Sequence, residues 1–320
     1  VTSSTNSSAV RIGSSLFSDY GFSNFTLQAD SHALLSDDTT TTLSISPNTE
    51  INLTPLTLSL GNEASNYSSG SKLKDISRLA ELPSYQITPS SLTLLATTAL
   101  GNRKDYGGIV MANNSKITGP TDTTVNMVSM GNLTVGGEID VPSGVVNLAV
   151  IKSAVDNEQQ FEDRQLTLQS SSIIDVSGGA ILKPSDVGLR QGVLSNGGDV
   201  TIKADIGSIT VENGSLIDIS GTQATLDQKS YGSNGYTIQT LTSVGGSLSL
   251  QGAESITMLG NLNAQGGSNG NTRNTGGSLN VTLTRHLPTY GAETFDPSPR
   301  VLEITNGAGR SAGSGFASIN

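Results

Sequence analysis

The chain has 320 residues, a formal net charge of −10, 34% hydrophobic and 4% aromatic content, and neither tryptophan nor cysteine. The acidic balance argues against nucleic acid or an anionic membrane as partner, since both are bound through clustered Lys and Arg, and the missing cysteine removes disulfide and thiolate chemistry. No apolar run approaches the roughly 18 residues of a spanning helix, so no membrane insertion is expected.

Residues 1–20 are rich in Ser and Thr and weakly patterned. Nothing near Val1 reads as a charged segment followed by an apolar one, so the chain is expected to be a piece of a longer protein. Alternation begins in GFSNFTLQAD, where Phe25 and Leu27 share a face. It continues through Leu43/Ile45, Ile51/Leu53 and Leu56/Leu58/Leu60, each read as a rung with its apolar side chains inward. Pro55 belongs at a corner, because inside a strand it would remove a ladder hydrogen bond.

From 61 to 90 the alternation fails and charge rises. KLKDISRLAE (72–81) places Leu73, Ile76, Leu79 and Ala80 on one helical face, with Ser71 as cap and Pro83 as stop. This stretch is expected to leave the stack as a loop carrying a short helix. Strand patterning resumes at 91–96 and recurs in GGIVMANNSKITG (107–119), NLTVGGEIDVPSG (132–144) and LTLQSSSIIDVSGG (166–179).

The clearest copy is GGDVTIKADIGSITVENGSLIDISG (197–221), with the runs Val200/Ile202, Ile209/Val211 and Ile217/Ile219. GGSLSLQGAESITMLGNLNAQGG (245–267) repeats it as Leu248/Leu250, Ile256/Met258 and Leu262/Ala264, and GGSLNVTL (276–283) opens a further copy. Strands this short need copies above and below, and repetition with irregular insertions is the sequence form of a β-solenoid. Scarce aromatics fit a core one residue deep, and the 37 Gly supply corners.

The expected fold is therefore all-β: one parallel β-helix segment over 1–320 with extra-helical loops, rungs over about 20–284 and an exit or cap over 285–320. Excursions are expected at about 61–90, 153–165, 183–196 and 222–243. At about 20 to 25 residues per rung this gives about eleven rungs and a stack on the order of 50 Å long. Ile202, Val211, Ile219, Leu250, Leu133 and Leu168 should point into the core.

Alternation sends Asp140, Asp175, Asp218 and Asn263 outward in equivalent places, as a ladder of solvated side chains near a corner. Close carboxylates could alternatively hold Ca²⁺, although the nonapeptide repeat that does so elsewhere is absent. Catalysis finds little support. Asp37/Asp38 and Glu162/Asp163 are adjacent pairs, and neighbours on a strand point to opposite faces. His32 and His286 are two and far apart in sequence, and no G-x-S-x-G, Walker or dinucleotide loop occurs. No enzyme, cofactor or metal is expected.

The units NGGDVTIKADIGSITVENGSLIDISG and VGGSLSLQGAESITMLGNLNAQGG, with GFSNFTLQAD upstream and PSSLTLLATTALGN in the middle, resemble the large filamentous-haemagglutinin-like exoproteins of Gram-negative two-partner secretion systems. The resemblance covers most of 20–284. It implies a right-handed parallel β-helix, a handedness that the rule for parallel crossovers also favours. It further implies a secreted, surface-associated chain exported through a dedicated outer-membrane transporter, serving as an adhesin or as a passive stalk for a distal toxin or receptor-binding domain. The family's transporter-recognition motifs find no match, so the segment reads as shaft or distal region. A polysaccharide lyase or hydrolase on the same fold is the remaining alternative.

Regular rungs repeat small and β-branched residues, whereas excursions are free to vary. Binding of a glycan or surface protein is therefore expected in the loop 61–90, with Tyr67 and Tyr85, and in the loop 222–243, with Tyr231 and Tyr236.

Overall fold

The computed structural model describes residues 10–31, 41–60, 68–98, 107–152, 164–230, 232, 235–284, 301–302 and 316–319. The chain winds through three parallel sheets, A, B and C, always in that order. The first turn is β1 (Asn24–Ser31) in A, β2 (Thr41–Ile45) in B and β3 (Glu50–Asn52) in C. A hairpin of β4 (Thr57–Leu60) and β5 (Ser77–Ala80) follows. The second turn is β6 (Ser91–Thr98), β7 (Gly108–Met111) and β8 (Lys116–Thr118), and the third is β9 (Thr124–Ser129), β10 (Leu133–Val135) and β11 (Glu138–Asp140).

The fourth turn, β12 (Val145–Val150), β13 (Gln165–Leu168) and β14 (Ile173–Asp175), leads into the hairpin β15 (Ala180–Lys183) and β16 (Gln191–Leu194). The fifth, β17 (Asp199–Ala204), β18 (Ser208–Val211) and β19 (Leu216–Asp218), leads into β20 (Gln223–Lys229) and β21 (Tyr236–Thr242). The sixth is β22 (Ser247–Gly252), β23 (Ser255–Met258) and β24 (Asn261–Asn263). Above it lie β25 (Ser278–Leu283) in sheet A and, in sheet B, β26 (Val301–Leu302) and β27 (Phe316–Ile319). This is a parallel β-helix.

The register explains why such short strands hold. In sheet C, Ile51, Ile117, Ile139, Ile174 and Ile217 stack in one inward column, each paired with the next and each buried. Sheet A stacks Leu94, Met127, Leu148, Ile202 and Leu250 in the same way, and sheet B stacks Met111, Val135, Leu168, Val211 and Met258. Each buried aliphatic side chain stabilises by about 1.5 to 3 kcal/mol, and β-branched residues suit the pleated face that such columns require. All six side chains expected inward, Leu133, Leu168, Ile202, Val211, Ile219 and Leu250, are buried.

Corners follow two chemistries. Between sheets B and C the chain turns within a few residues, using left-handed backbone at Asn48, Asn114 and Gly214, which Asn and Gly adopt at low cost. There the buried Ser115 and Ser215 donate their hydroxyls to Ala112 O and Glu212 O at 2.6 and 2.7 Å. Between sheets C and A successive turns touch through backbone alone. A Cβ on Gly198 would lie 2.0 Å from Gly144 O, and one on Gly246 1.8 Å from Gly198 O.

Several expectations are corrected. Among the described residues sheet A contains seven strands and sheet C six, not eleven, so the described stack is about 30 Å long at the usual strand spacing. The insertion-free turn from Asn126 to Asn147 takes 21 residues, and hairpins and insertions absorb the residues that would have made further rungs. Leu56, Leu58 and Leu60 do not form a rung: β4 pairs antiparallel with β5, and Leu58 and Leu60 are each 62% exposed. Alternation reveals a strand but not its partner. The helix expected over 72–81 is one turn, α1 (Leu73–Ile76), capped by Lys72 rather than Ser71 and without a side-chain cap bond. Ser77 Oγ donates to Leu73 O at 2.7 Å, and the chain passes directly into β5, so Leu79 and Ala80 are strand residues.

The excursion 183–196 starts earlier, as β15 begins at Ala180, and Gln165 belongs to β13 rather than to an excursion. Residues 153–163 lie outside the described residues. The weakly patterned start carries a cap: a 3₁₀ turn at Ser14–Leu16 leads to the buried Phe17, whose ring centroid is 4.9 Å from that of Phe25.

Two stability predictions follow from this packing. Ile202→Asp would bury an unpaired carboxylate in a core with no room for water and should cost several kcal/mol in denaturant unfolding; unchanged stability would refute the register. Gly246→Ala should cost more than about 2 kcal/mol because only backbone could give way, whereas Gly13→Ala, whose Cβ would meet nothing nearer than 3.8 Å, should stay within about 0.5 kcal/mol.

Candidate functional site

The three antiparallel hairpins leave the stack at the same corner, where sheet C hands over to sheet A. Glycines shape two of the necks. A Cβ on Gly178 would lie 2.6 Å from Ser195 O, and one on Gly221 2.3 Å from Ser243 O. The outgoing and returning chains therefore pass too closely for any side chain between them, and Ser195 N and Ser243 N donate across the necks to Gly179 O and Thr222 O.

Beyond the necks the excursions pack on one another. The 3₁₀ turn Ser84–Gln86, on the return from the first hairpin, lies against β15, and β16 lies beside β20. Arg190 and Asp227 join the second and third hairpins: Arg190 N donates to Asp227 Oδ2 at 2.6 Å, and Asp227 N donates to Arg190 O at 2.9 Å. Tyr85 sits half-buried in the 3₁₀ turn, at one side of this row. Tyr236, 45% exposed, opens β21 opposite Lys229 at the other side. Tyr85 and Tyr236 thus belong to one assembly of excursions but to different elements of it. Tyr67 and Tyr231 lie outside the described residues.

The row exposes aliphatic surface that tyrosine counting missed. Leu58 faces Leu79 across the first hairpin, with both exposed, and Val187 and Ile238 are 78% and 75% exposed on the second and third. For the second and third hairpins the available signal was the double glycine before sheet A at 197–198 and 245–246, which marks the end of each; the first ends at Ser90 without one.

An open groove of about 520 Å³ lies at the foot of the third hairpin. Ser220, Thr222 and Gln223 form one side, Asn263, Gln265 and Ser268 the other, and Leu262 adds an apolar element. It joins the exit of the fifth turn to that of the sixth.

The outward ladder of sheet C is present as expected. Asp140 pairs with Asp175, Asp175 with Asp218, and Asp218 with Asn263. Its rungs are tied locally. Ser177 N donates to Asp175 Oδ1 at 2.9 Å and Ser220 N to Asp218 Oδ1 at 2.8 Å, while Asn263 Nδ2 donates to Asp218 Oδ2 at 2.9 Å. Asp140 instead meets Lys116 at 3.1 Å, and Lys116 also meets Glu138 at 2.8 Å. Among the described residues no three His, Cys, Asp or Glu side chains converge as metal ligands. Asp37/Asp38, Glu162/Asp163, His32 and His286 lie outside the described residues.

Comparison with family models, with curated proteins and with solved structures gives no match.

The Lys116 cluster has a definite pH signature. The hydrogen bond to Glu138, followed by the bond to Asp140 and the two carboxylate charges, holds the ammonium above the ordinary lysine value against the opposing effect of burial. A raised folded-state value means that the contribution is fully present below the ordinary lysine pKa and is lost as pH rises through the folded value. The stability difference between wild type and Lys116→Met should therefore be flat around neutrality and shrink only in strongly alkaline solution. The partners are about a third exposed, so its size should stay below about 1 kcal/mol. A difference that instead grew with alkalinity would contradict the assignment.

Proposed function

We propose that the chain is a structural and adhesive segment of a secreted, cell-surface exoprotein of the filamentous-haemagglutinin-like kind, attaching its bearer to host cells, other bacteria or matrix. The observation that carries this reading is the row of excursions on one corner of a regular shaft, with aliphatic side chains and Tyr236 facing outward on hairpins that the core does not need. Exposed apolar groups set in polar surroundings are what a contact surface requires. The shaft supports the same reading: its flat outer faces repeat uncharged side chains such as Thr134, Thr167 and Thr210 in register. Export through an outer-membrane transporter belongs to this proposal, and a chain without cysteine suits passage before folding.

A second reading, a passive stalk for a distal domain, is favoured by the regularity of the stack itself. No catalytic role is proposed.

The two readings separate by deletion. Residues 180–194 and 223–242 are each replaced by a short Gly/Ser closure, singly and together, and beads coated with each protein are scored for attachment to epithelial cells and to bacteria. The expected outcome is attachment by wild type and its loss in the double deletion, with cooperative melting retained because the turns on either side still stack. Attachment that survives the double deletion, or wild type that never attaches, would favour the stalk.

A further inference from the structure

We propose that the groove at the foot of the third hairpin is a binding subsite for an uncharged oligosaccharide. The proposal deepens the adhesive reading and rests on it for the source of the ligand, while its geometry stands on its own. The groove combines a fixed backbone with unspent side chains. Ser220 N donates to Asp218 Oδ1, Thr222 N to Ser243 Oγ at 2.8 Å, and Gly221 N to Gln265 O at 2.8 Å. Among the described residues, however, the side chains of Ser220, Thr222, Gln223 and Gln265 have no hydrogen-bond partner, although all four line the groove.

Hydroxyls and amides both donate and accept hydrogen bonds, as sugar hydroxyls do. The lining contains no charged side chain. Asp218, the nearest carboxylate in sequence, already accepts from Ser220 N and Asn263 Nδ2. Nothing in the groove would therefore select a phosphate, a sulfate or a sugar acid. Leu262, 39% exposed, supplies an apolar contact for the C–H face of a sugar ring. The walls are set before any ligand arrives: a Cβ on Gly267 would lie 2.0 Å from Thr222 O, so the two exits are locked backbone against backbone, and a preorganised site loses little ordering entropy on binding.

The test uses the full 320-residue chain, as wild type and as the Gln223→Ala/Gln265→Ala variant, on an array of neutral, sialylated and sulfated oligosaccharides, with thermal melting as the control. The expected result is binding of neutral oligosaccharides without preference for charged forms, and about a tenfold loss in the variant from removing two hydrogen-bonding amides. Melting should not change, because both glutamines point away from the core. An array with no neutral oligosaccharide bound, a preference for the charged forms, or undiminished binding by the variant would overturn the proposal. The hairpin deletions, run beside the glutamine variant in the cell-attachment assay, separate this failure from that of the adhesive reading: if deleting 180–194 and 223–242 abolishes attachment while array binding ignores both glutamines, the groove fails and the adhesive reading stands.

Discussion

Backbone rests on backbone at the corner between sheets C and A, and the rest of the molecule depends on that contact. Along a strand, side chains point to either side of the sheet, and the next turn sits about 4.8 Å away through hydrogen bonds. At this corner the chain bends sharply enough that a Cβ would point at the neighbouring turn. Gly144, Gly198, Gly246 and Gly277 remove it, and the ladder continues unbroken: Asp199 N donates to Gly144 O, Ser247 N to Gly198 O and Ser278 N to Gly246 O, all within 2.9 to 3.0 Å. This fixes the start of every later strand of sheet A, and with it the columns of aliphatic side chains that exclude water from the interior.

Stacking equivalent positions directly on one another has an electrostatic cost. Carboxylates one strand apart repel by about 1 kcal/mol even at the dielectric constant of water, and Asp140, Asp175 and Asp218 occupy one column. The column ends in compensation at both sides, with Lys116 joined to Asp140 and Asn263 donating to Asp218. Asp175, in the middle, holds a backbone N–H two residues ahead, and Asp218 repeats the bond. Asn52 makes the same contact with Thr54 N without a charge. The recurring requirement is thus a side-chain oxygen that steadies the exit from sheet C. A carboxylate and an amide both meet it, which explains why the neutral Asn52 and the charged Asp175 and Asp218 make the same bond.

Much of the stack was legible because periodicity and depth of burial coincide. Val200/Ile202, Ile209/Val211 and Ile217/Ile219 alternate with polar residues, and only the apolar set can enter a core one residue deep. The misreadings share one physical cause. TLSL at Thr57–Leu60 alternates as well as any rung does, but alternation is a property of the strand alone, and the antiparallel partner Ser77–Ala80 was disguised by a spacing equally compatible with a helix. The candidate site was legible in location and obscure in content. Composition shifts placed excursions near 183–196 and 222–243, whereas the groove needs Gln223 and Gln265 on successive turns, a proximity set by stacking that no local pattern carries.

The corners also differ in what they permit, and this places the excursions. The corner between sheets B and C is tight in every described turn, with left-handed backbone at Asn48, Asn114 and Gly214 in the first, second and fifth. The corner between C and A is tight only after the second and third turns, where Asp122 and Ser143 take up that conformation. The first excursion gives the reason. After its hairpin the chain runs to the 3₁₀ turn Ser84–Gln86, which packs against β15, an element that leaves the fourth turn. To reach it, the returning segment must pass alongside the two turns between, so a hairpin at either would collide with it. Insertion-free corners at the second and third turns are therefore the condition under which excursions from the first, fourth and fifth can meet. Their contact along the axis, through the 3₁₀ turn, β15, β16 and β20, turns three separately rooted excursions into one continuous surface, although a lone hairpin is too small to be stable by itself.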